Sequence, residues 1–472
     1  MKNKNNRIIF TILIISISFA LMVFIKSDPD QFWHFASGKY MYTHHKILTH
    51  DIFSWYLAGK YWMSHEWLFE MILYLFYLVF FDKYLIMFGL INIFILLFII
   101  YRTNEKDIYK NKAYSLFWLS FSIILGPYIV GRPQLISFIL IALTIYLLKD
   151  LYDNKDSKKI YFLPLISIIW ANIHGGSSNL VYIYTFIFMI CSLFEFKYQK
   201  IESKKKSKKQ ILTYLIIGLI CMFTININPH GFKLFIYPYQ NLNDSLMLNN
   251  ISEWRSTNLS EVSHYFYYIL LLFIIITMLF SKKKIRLLDF IIFLSVTYLG
   301  LRSVRFWGLT YIIMSYFIFY YVKERKDDKY TYELILILSI ILMLISGLSY
   351  KNYYKNSHKV NISEKMINRI KYEKPKRLYN IYDLGGELIY NDIKVFSDGR
   401  ADLYSKYSLR DIINISKLDG DYKEKIDYYN FDYFLVNNKF KIFNYLDEND
   451  NYELIYNDKD IYLYKKIKEI NY

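Results

Sequence analysis

Between Ile8 and Tyr350 the chain returns repeatedly to apolar runs about as long as a bilayer is thick. A chain built this way must satisfy its own backbone polar groups, and helices do so within each segment. Roughly 18 apolar residues suffice for one crossing. Ile8–Ile25, Tyr84–Tyr101, Gln210–Ile227, Ser263–Phe280 and Thr331–Tyr350 reach that length. Ala113–Val130, Leu135–Leu148, Ile160–Ile173, Asn179–Phe196, Leu287–Leu301 and Phe306–Val322 are similar in character but blurred by Pro, Gly or Arg. The expectation is a mostly α, multi-pass bundle of eleven spans, in keeping with 54% hydrophobic residues in 472. The first run is followed by Phe24-Ile25-Lys26-Ser27-Asp28, which offers no small-residue cleavage site, so it reads as an uncleaved anchor.

Orientation follows from Lys and Arg, which stay on the cytoplasmic side of short loops. Lys2, Lys4 and Arg7 place the N-terminus inside. The next inside segments are then Arg102–Lys112, Lys149–Lys159, Lys197–Lys209, Lys282–Arg286 and Lys323–Lys329, all basic. This alternation requires that Trp67–Phe81 not cross the membrane, so it is expected to be an interfacial helix within a first outer loop, residues 26–83. After residue 350 the composition changes. Residues 351–472 are charged, Tyr-rich and broken into short strand-like segments such as Tyr433–Val436, Tyr452–Tyr456 and Ile461–Tyr464, so a membrane domain (1–350) and a small C-terminal α/β extracytoplasmic domain (351–472) are expected.

The net charge of +17 is not a nucleic-acid footprint. The tail carries 22 Lys and Arg against 20 Asp and Glu, so nearly all of the excess lies in the membrane half, where it serves topology. Cys191 and Cys221 both fall in predicted spans, which argues against a disulfide framework or a Cys-type zinc site.

With this topology the unusual polar residues fall on one face. The first outer loop holds Asp28, Asp30, His34, His65 and Glu66; later outer turns hold Arg132, Asn172, His174, His230, Glu253, Arg255, Arg302 and Arg305. Carboxylates can take a proton from an acceptor hydroxyl, and guanidinium groups hold phosphate in a forked geometry. Asp28 and Asp30 on an extended stretch would point the same way, and with His34 or His65 they have the donor chemistry for a divalent metal ion. Each residue also has a plainer reading: Asp28 before Pro29 suits a turn or cap, Glu66 suits a helix start, and arginines at helix ends snorkel.

The strings Asp28-Pro29-Asp30, Phe32-Trp33-His34, Thr49-His50-Asp51, His65-Glu66-Trp67, Arg132-Pro133-Gln134, Trp170-Ala171-Asn172-Ile173-His174-Gly175-Gly176, Asn228-Pro229-His230-Gly231, Glu253-Trp254 and Asp398-Gly399-Arg400 resemble a group of bacterial polytopic membrane proteins. That group is similar to the GT-C superfamily of integral-membrane glycosyltransferases, which use polyprenyl-phosphate or polyprenyl-diphosphate sugars on the outer face. The resemblance implies an acidic site in the first outer loop, falling on Asp28 and Asp30, with juxtamembrane helices there. The matched string Asp398-Gly399-Arg400 adds Asp398 and Arg400 to the candidate substrate-binding residues, while Glu66 is a candidate catalytic residue as an acid of the same first outer loop and has no equivalent carried over from the resemblance. The implied function is sugar transfer from a lipid carrier to an envelope glycan, lipid or protein acceptor at the bacterial plasma membrane. The alternatives are a transporter or flippase of a lipid-linked saccharide, or a non-catalytic protein of envelope assembly.

Overall fold

The computed structural model describes residues 2–242, 246, 255–324 and 331–467. It divides into two compact units: one built from residues 1–26, 80–243 and 248–357, the other chiefly from residues 27–79 and 358–472. The chain opens with helices α1 (Lys2–Leu21), α2 (Pro29–His44), α3 (Trp67–Phe80) and α4 (Tyr84–Ile108). The first unit holds α1 and α4.

In that unit Arg7 at the start of α1 is paired with Glu105 at the end of α4 at 2.6 Å. At the other ends, Met22 comes within van der Waals reach of Gly89. The two helices are therefore antiparallel, and the chain between them leaves and re-enters at the same end. Trp67–Ile108 forms an apolar helical stretch of 42 residues. That is about twice the length one span needs, and the stretch is interrupted at Phe81, whose φ is +50°.

The basic segments meet at the end marked by Arg7. Asn111 donates to the Lys323 carbonyl at 3.2 Å, and Lys283 to the Tyr320 carbonyl at 2.7 Å. Lys209 pairs with Asp156 at 3.3 Å and Arg286 with Asp153 at 3.6 Å. A small sheet of β1 (Phe196–Tyr198), β2 (Ile201–Ser203) and β3 (Ile285–Arg286) joins two of the same segments. At the opposite end, the Tyr128 hydroxyl donates to the Val304 carbonyl at 3.0 Å and the Asn172 amide to the Ile227 carbonyl at 2.9 Å.

All eleven apolar segments carry helical turns, but among the described residues six helices are long and apolar enough to cross a membrane. The shortfall has a local cause. Ala113–Val130 passes from helix into a tighter 3₁₀ stretch containing Pro127, and the helices Leu163–Ile173, Lys208–Thr224, Leu287–Arg302 and Trp307–Met314 have 11, 17, 16 and 8 residues. Polar groups in this apolar unit are satisfied locally: the Ser16 and Ser18 hydroxyls bond the carbonyls four residues back at 2.9 and 2.8 Å, and buried Trp118 donates to Ser315 at 2.9 Å. Large apolar side chains remain outward, among them Phe223, Phe280 and Leu348, as a lipid-facing surface requires.

In the second unit α2 and α3 cross at Gly38. A Cβ there would fall 2.1 Å from the Glu70 carbonyl oxygen, so only glycine permits the approach. The sheet runs β4 (Leu378–Asn380), β5 (Tyr433–Asn437), β7 (Ile461–Lys466) and β6 (Tyr452–Asp458), in that spatial order, with β4 and β5 parallel and the rest antiparallel. Residues 50–62 join this unit through a parallel bridge from Ser54 to Val395, a Trp55 indole bond to the Leu378 carbonyl at 3.0 Å and a Tyr56–Ser408 hydroxyl contact at 2.6 Å. Tyr56, Phe396, Tyr429 and Phe431 form the aromatic centre beneath them, with ring centroids 4.8 to 5.6 Å apart in the contacting pairs.

Candidate functional site

Pro29 sets the geometry of the acid pair. Proline suits the first helical position, and an Asp before it suits the N-cap. Asp28 is the extended N-cap of α2 and its carboxylate accepts the Asp30 amide N–H at 3.0 Å; Asp30 lies in the first helical turn. The two acids are therefore not on one extended stretch. Their setting is a helix start, where backbone N–H groups and the helix dipole favour negative charge. The Asp30 carboxylate also accepts the Trp33 indole N–H at 3.2 Å.

Gly399 closes on this pair from far along the chain. A Cβ at residue 399 would lie 1.6 Å from Asp30 Oδ1 and 2.9 Å from Trp33 Nε1, so the bare backbone of Asp398-Gly399-Arg400 rests directly against the carboxylate. Gly386 meets the Pro29 carbonyl in the same way, at 2.1 Å from its ideal Cβ. Two motifs about 370 residues apart form one corner because two glycines leave room for it.

Asp398 and Arg400 themselves are fully buried. The Arg400 guanidinium grips Asp398 through Nε and one terminal nitrogen, at 2.8 and 2.7 Å, and reaches Asp51 with the other at 2.5 Å. Tyr404 donates to Asp398 at 2.7 Å, Ser54 donates to Asp51, and Trp62 and Phe53 flank the guanidinium at 4.7 and 5.1 Å. Burial raises the Asp51 carboxyl, but the Arg400 charge and the bonds from Ser54 and Phe53 hold it below its ordinary value. One guanidinium thus bridges two buried carboxylates, clamping residues 51–54 to residues 398–404.

Beside the corner runs a line of alternating acids and imidazoles. Glu70 lies 3.4 Å from His34 Nδ1, Glu66 lies 3.4 Å from His34 Nε2 and 3.3 Å from His65 Nε2, and His65 Nδ1 lies 4.0 Å from Asp402. Ser64 donates to Glu70 at 2.9 Å, and the His34 ring sits 3.6 Å from that of Trp33, which bonds Asp30. Burial alone lowers the His65 imidazole, yet Glu66 and Asp402 more than offset it and lift it to about 8. Burial raises the Asp402 carboxyl despite the opposing charge of His65. Glu70 and Asp402 stand outside the expected set. The available signal for Glu70 was an acid four residues after Glu66, on the same helical face, within an apolar helix.

The remaining candidates belong to the first unit. Arg132 is half-buried in the turn before the helix Gln134–Asp153. Asn172 bonds the carbonyls of Ile168 and Ile227 at 2.8 and 2.9 Å. The His174 imidazole meets the Ser137 and Ser177 hydroxyls at 2.7 and 3.0 Å, both of which also receive the Trp170 indole N–H. His230 is buried, its backbone N–H held by Asn228 at 2.7 Å. The Arg255 carbonyl accepts the Val304 N–H at 3.2 Å, which joins the backbone of Arg255 to the segment carrying Arg302 and Arg305. Glu253 lies outside the described residues. Among the described residues no three His, Cys, Asp or Glu side chains form a group that could hold a metal ion.

No family model matches the chain, and no curated protein matches its sequence. Solved structures do. The apo oligosaccharyltransferase of Archaeoglobus fulgidus superposes with a TM-score of 0.53 at 10% identity, over 90% of this chain and 69% of that one. The same protein tethered through a disulfide to an acceptor peptide containing the NVT sequon superposes with a TM-score of 0.55 at 10% identity, over 91% and 69%. The likeness is one of fold: this mostly helical chain shares the architecture of that oligosaccharyltransferase over nine-tenths of its length.

Proposed function

We propose that this chain is a membrane glycosyltransferase that moves a sugar from a polyprenyl-phosphate-type carrier to an envelope glycan, lipid or protein acceptor on the outer face of a bacterial plasma membrane. The observation that carries this reading is the fold likeness over nine-tenths of the chain to an oligosaccharyltransferase. The acid corner at the head of α2 supports the assignment of roles. Asp30, oriented by the Trp33 indole and the Asp28 cap, is the general base. It takes the proton of the acceptor hydroxyl as that oxygen bonds to the anomeric carbon, and the carrier phosphate departs with the electrons of the broken bond.

Glu66 is assigned a supporting role, because a protonated His65 on one side and His34 on the other already bind its carboxylate. Arg132 and the trio Arg255, Arg302 and Arg305 are the proposed partners of the phosphate, for which the fork of arginine is suited.

The test is transfer from radiolabelled polyprenyl-phosphate sugars by the purified full chain. Asp30→Asn is expected to slow transfer by roughly 10²–10⁴-fold, the usual range for a lost general base, with a smaller effect from Asp28→Asn. Undiminished transfer in both variants removes the proposed site.

A further inference from the structure

Away from the acid corner, the second unit contains a half-open cavity of about 730 Å³ along the middle and end of α2. Ligand sites typically occupy ~300–1,000 Å³ and combine apolar walls with a few placed polar groups. One wall is an aromatic cluster: Phe35 touches Tyr74, Tyr77 and Tyr390 with ring centroids 5.4, 5.0 and 5.2 Å away. Tyr40, stacked on His44 at 4.1 Å, adds a further ring. The charged groups of the lining are Lys39, Lys394 and Asp392, with His44 as the titratable one. Lys394 is braced by a bond to the Ile52 carbonyl, and Lys39 is exposed. The balance of fixed charge is therefore positive.

We propose that this cleft binds an acidic saccharide segment, a site separate from the carboxylate corner. Pyranose rings have an apolar C–H face and a hydroxyl rim. Tyrosine rings offer the complementary pair, a flat apolar face ending in a hydrogen-bonding hydroxyl. An acyl chain would be served by apolar walls alone, whereas two lysines at the mouth select carboxylate or sulfate groups on the sugar. Asp30 heads the same helix, but the cleft begins at Phe35, on a different face, so neither site depends on the other for its lining.

The experiment is calorimetric titration of the purified full chain in detergent with a short oligogalacturonate. A neutral cello-oligosaccharide of equal length and phosphatidylglycerol vesicles serve as the comparison probes. The expected result is saturable binding of oligogalacturonate, weaker binding of the neutral glycan, and affinity reduced about tenfold, or 1.4 kcal/mol, by Lys39→Ala with Lys394→Ala. Tyr390→Leu, which keeps apolar volume but removes the ring, is expected to weaken both saccharides. Asp30→Asn should leave binding intact, so the cleft stands or falls independently of the transfer reaction. Absence of saccharide binding, equal affinity for the neutral glycan, indifference to these substitutions, or binding confined to the vesicles would each overturn the proposal.

Discussion

Arg400 is the clearest single residue whose loss the structure makes costly. It is sealed between Asp398 and Asp51, and Arg400→Ala leaves two buried carboxylates facing each other. Breaking a buried pair costs about 3–5 kcal/mol, so Arg400→Ala is expected to lower thermal stability sharply in a melting experiment. A second residue-scale prediction concerns His65. Its imidazole is lifted from 6.5 to about 8, so the stabilisation it provides is fully present below pH 6.5 and is lost as pH rises through 8. A shift of that size corresponds to about 2 kcal/mol. The melting temperature should fall between pH 6.5 and 9, and His65→Gln should flatten that profile; an unchanged profile would show that the pair with Glu66 contributes nothing. Sequence alone drew attention to Asp28, Asp30, His65 and Glu66, because acids and histidines crowd one loop. It did not reveal that the Arg400 guanidinium reaches Asp51, 349 residues away, or that the Gly399 backbone rests against Asp30, because no local pattern links positions so far apart in the chain.

Among the elements, hydrophobic periodicity was the most readable signal. Each of the eleven apolar segments carries helical turns, and the strands at Tyr433, Tyr452 and Ile461 fall where alternating residues and turn signals placed them. Their lengths were less readable, since Pro127 and the 3₁₀ turns that shorten several helices depend on how neighbours pack. The α2–α3 crossing gives a prediction at this scale. Gly38 faces the backbone of residue 70 with no flexible atom to yield, so Gly38→Ala forces the helices apart. The expected cost is about 1–3 kcal/mol, measurable by denaturation, together with loss of the His34–Glu70 contact and a reduced rate of transfer. A variant as stable and as active as the parent would contradict that packing.

At the level of the whole molecule, charge segregation and helix pairing agree. Basic segments that sequence assigned to the cytoplasm contact one another at the end where Arg7 meets Glu105, and the turns bearing Arg132, Asn172 and Val304 gather at the other. The functional proposal needs the acid corner of α2 to lie beyond the membrane, where lipid-linked sugars are used. The most direct measurement is labelling of single cysteines by a membrane-impermeant maleimide, in a background where buried Cys191 and Cys221 are replaced by serine. Ala58→Cys, exposed in the loop after α2, is expected to react in intact cells, and Lys205→Cys, exposed in the basic loop between β2 and the helix Lys208–Thr224, only after the cells are opened. Protection of residue 58 with labelling of residue 205 in intact cells would contradict the account.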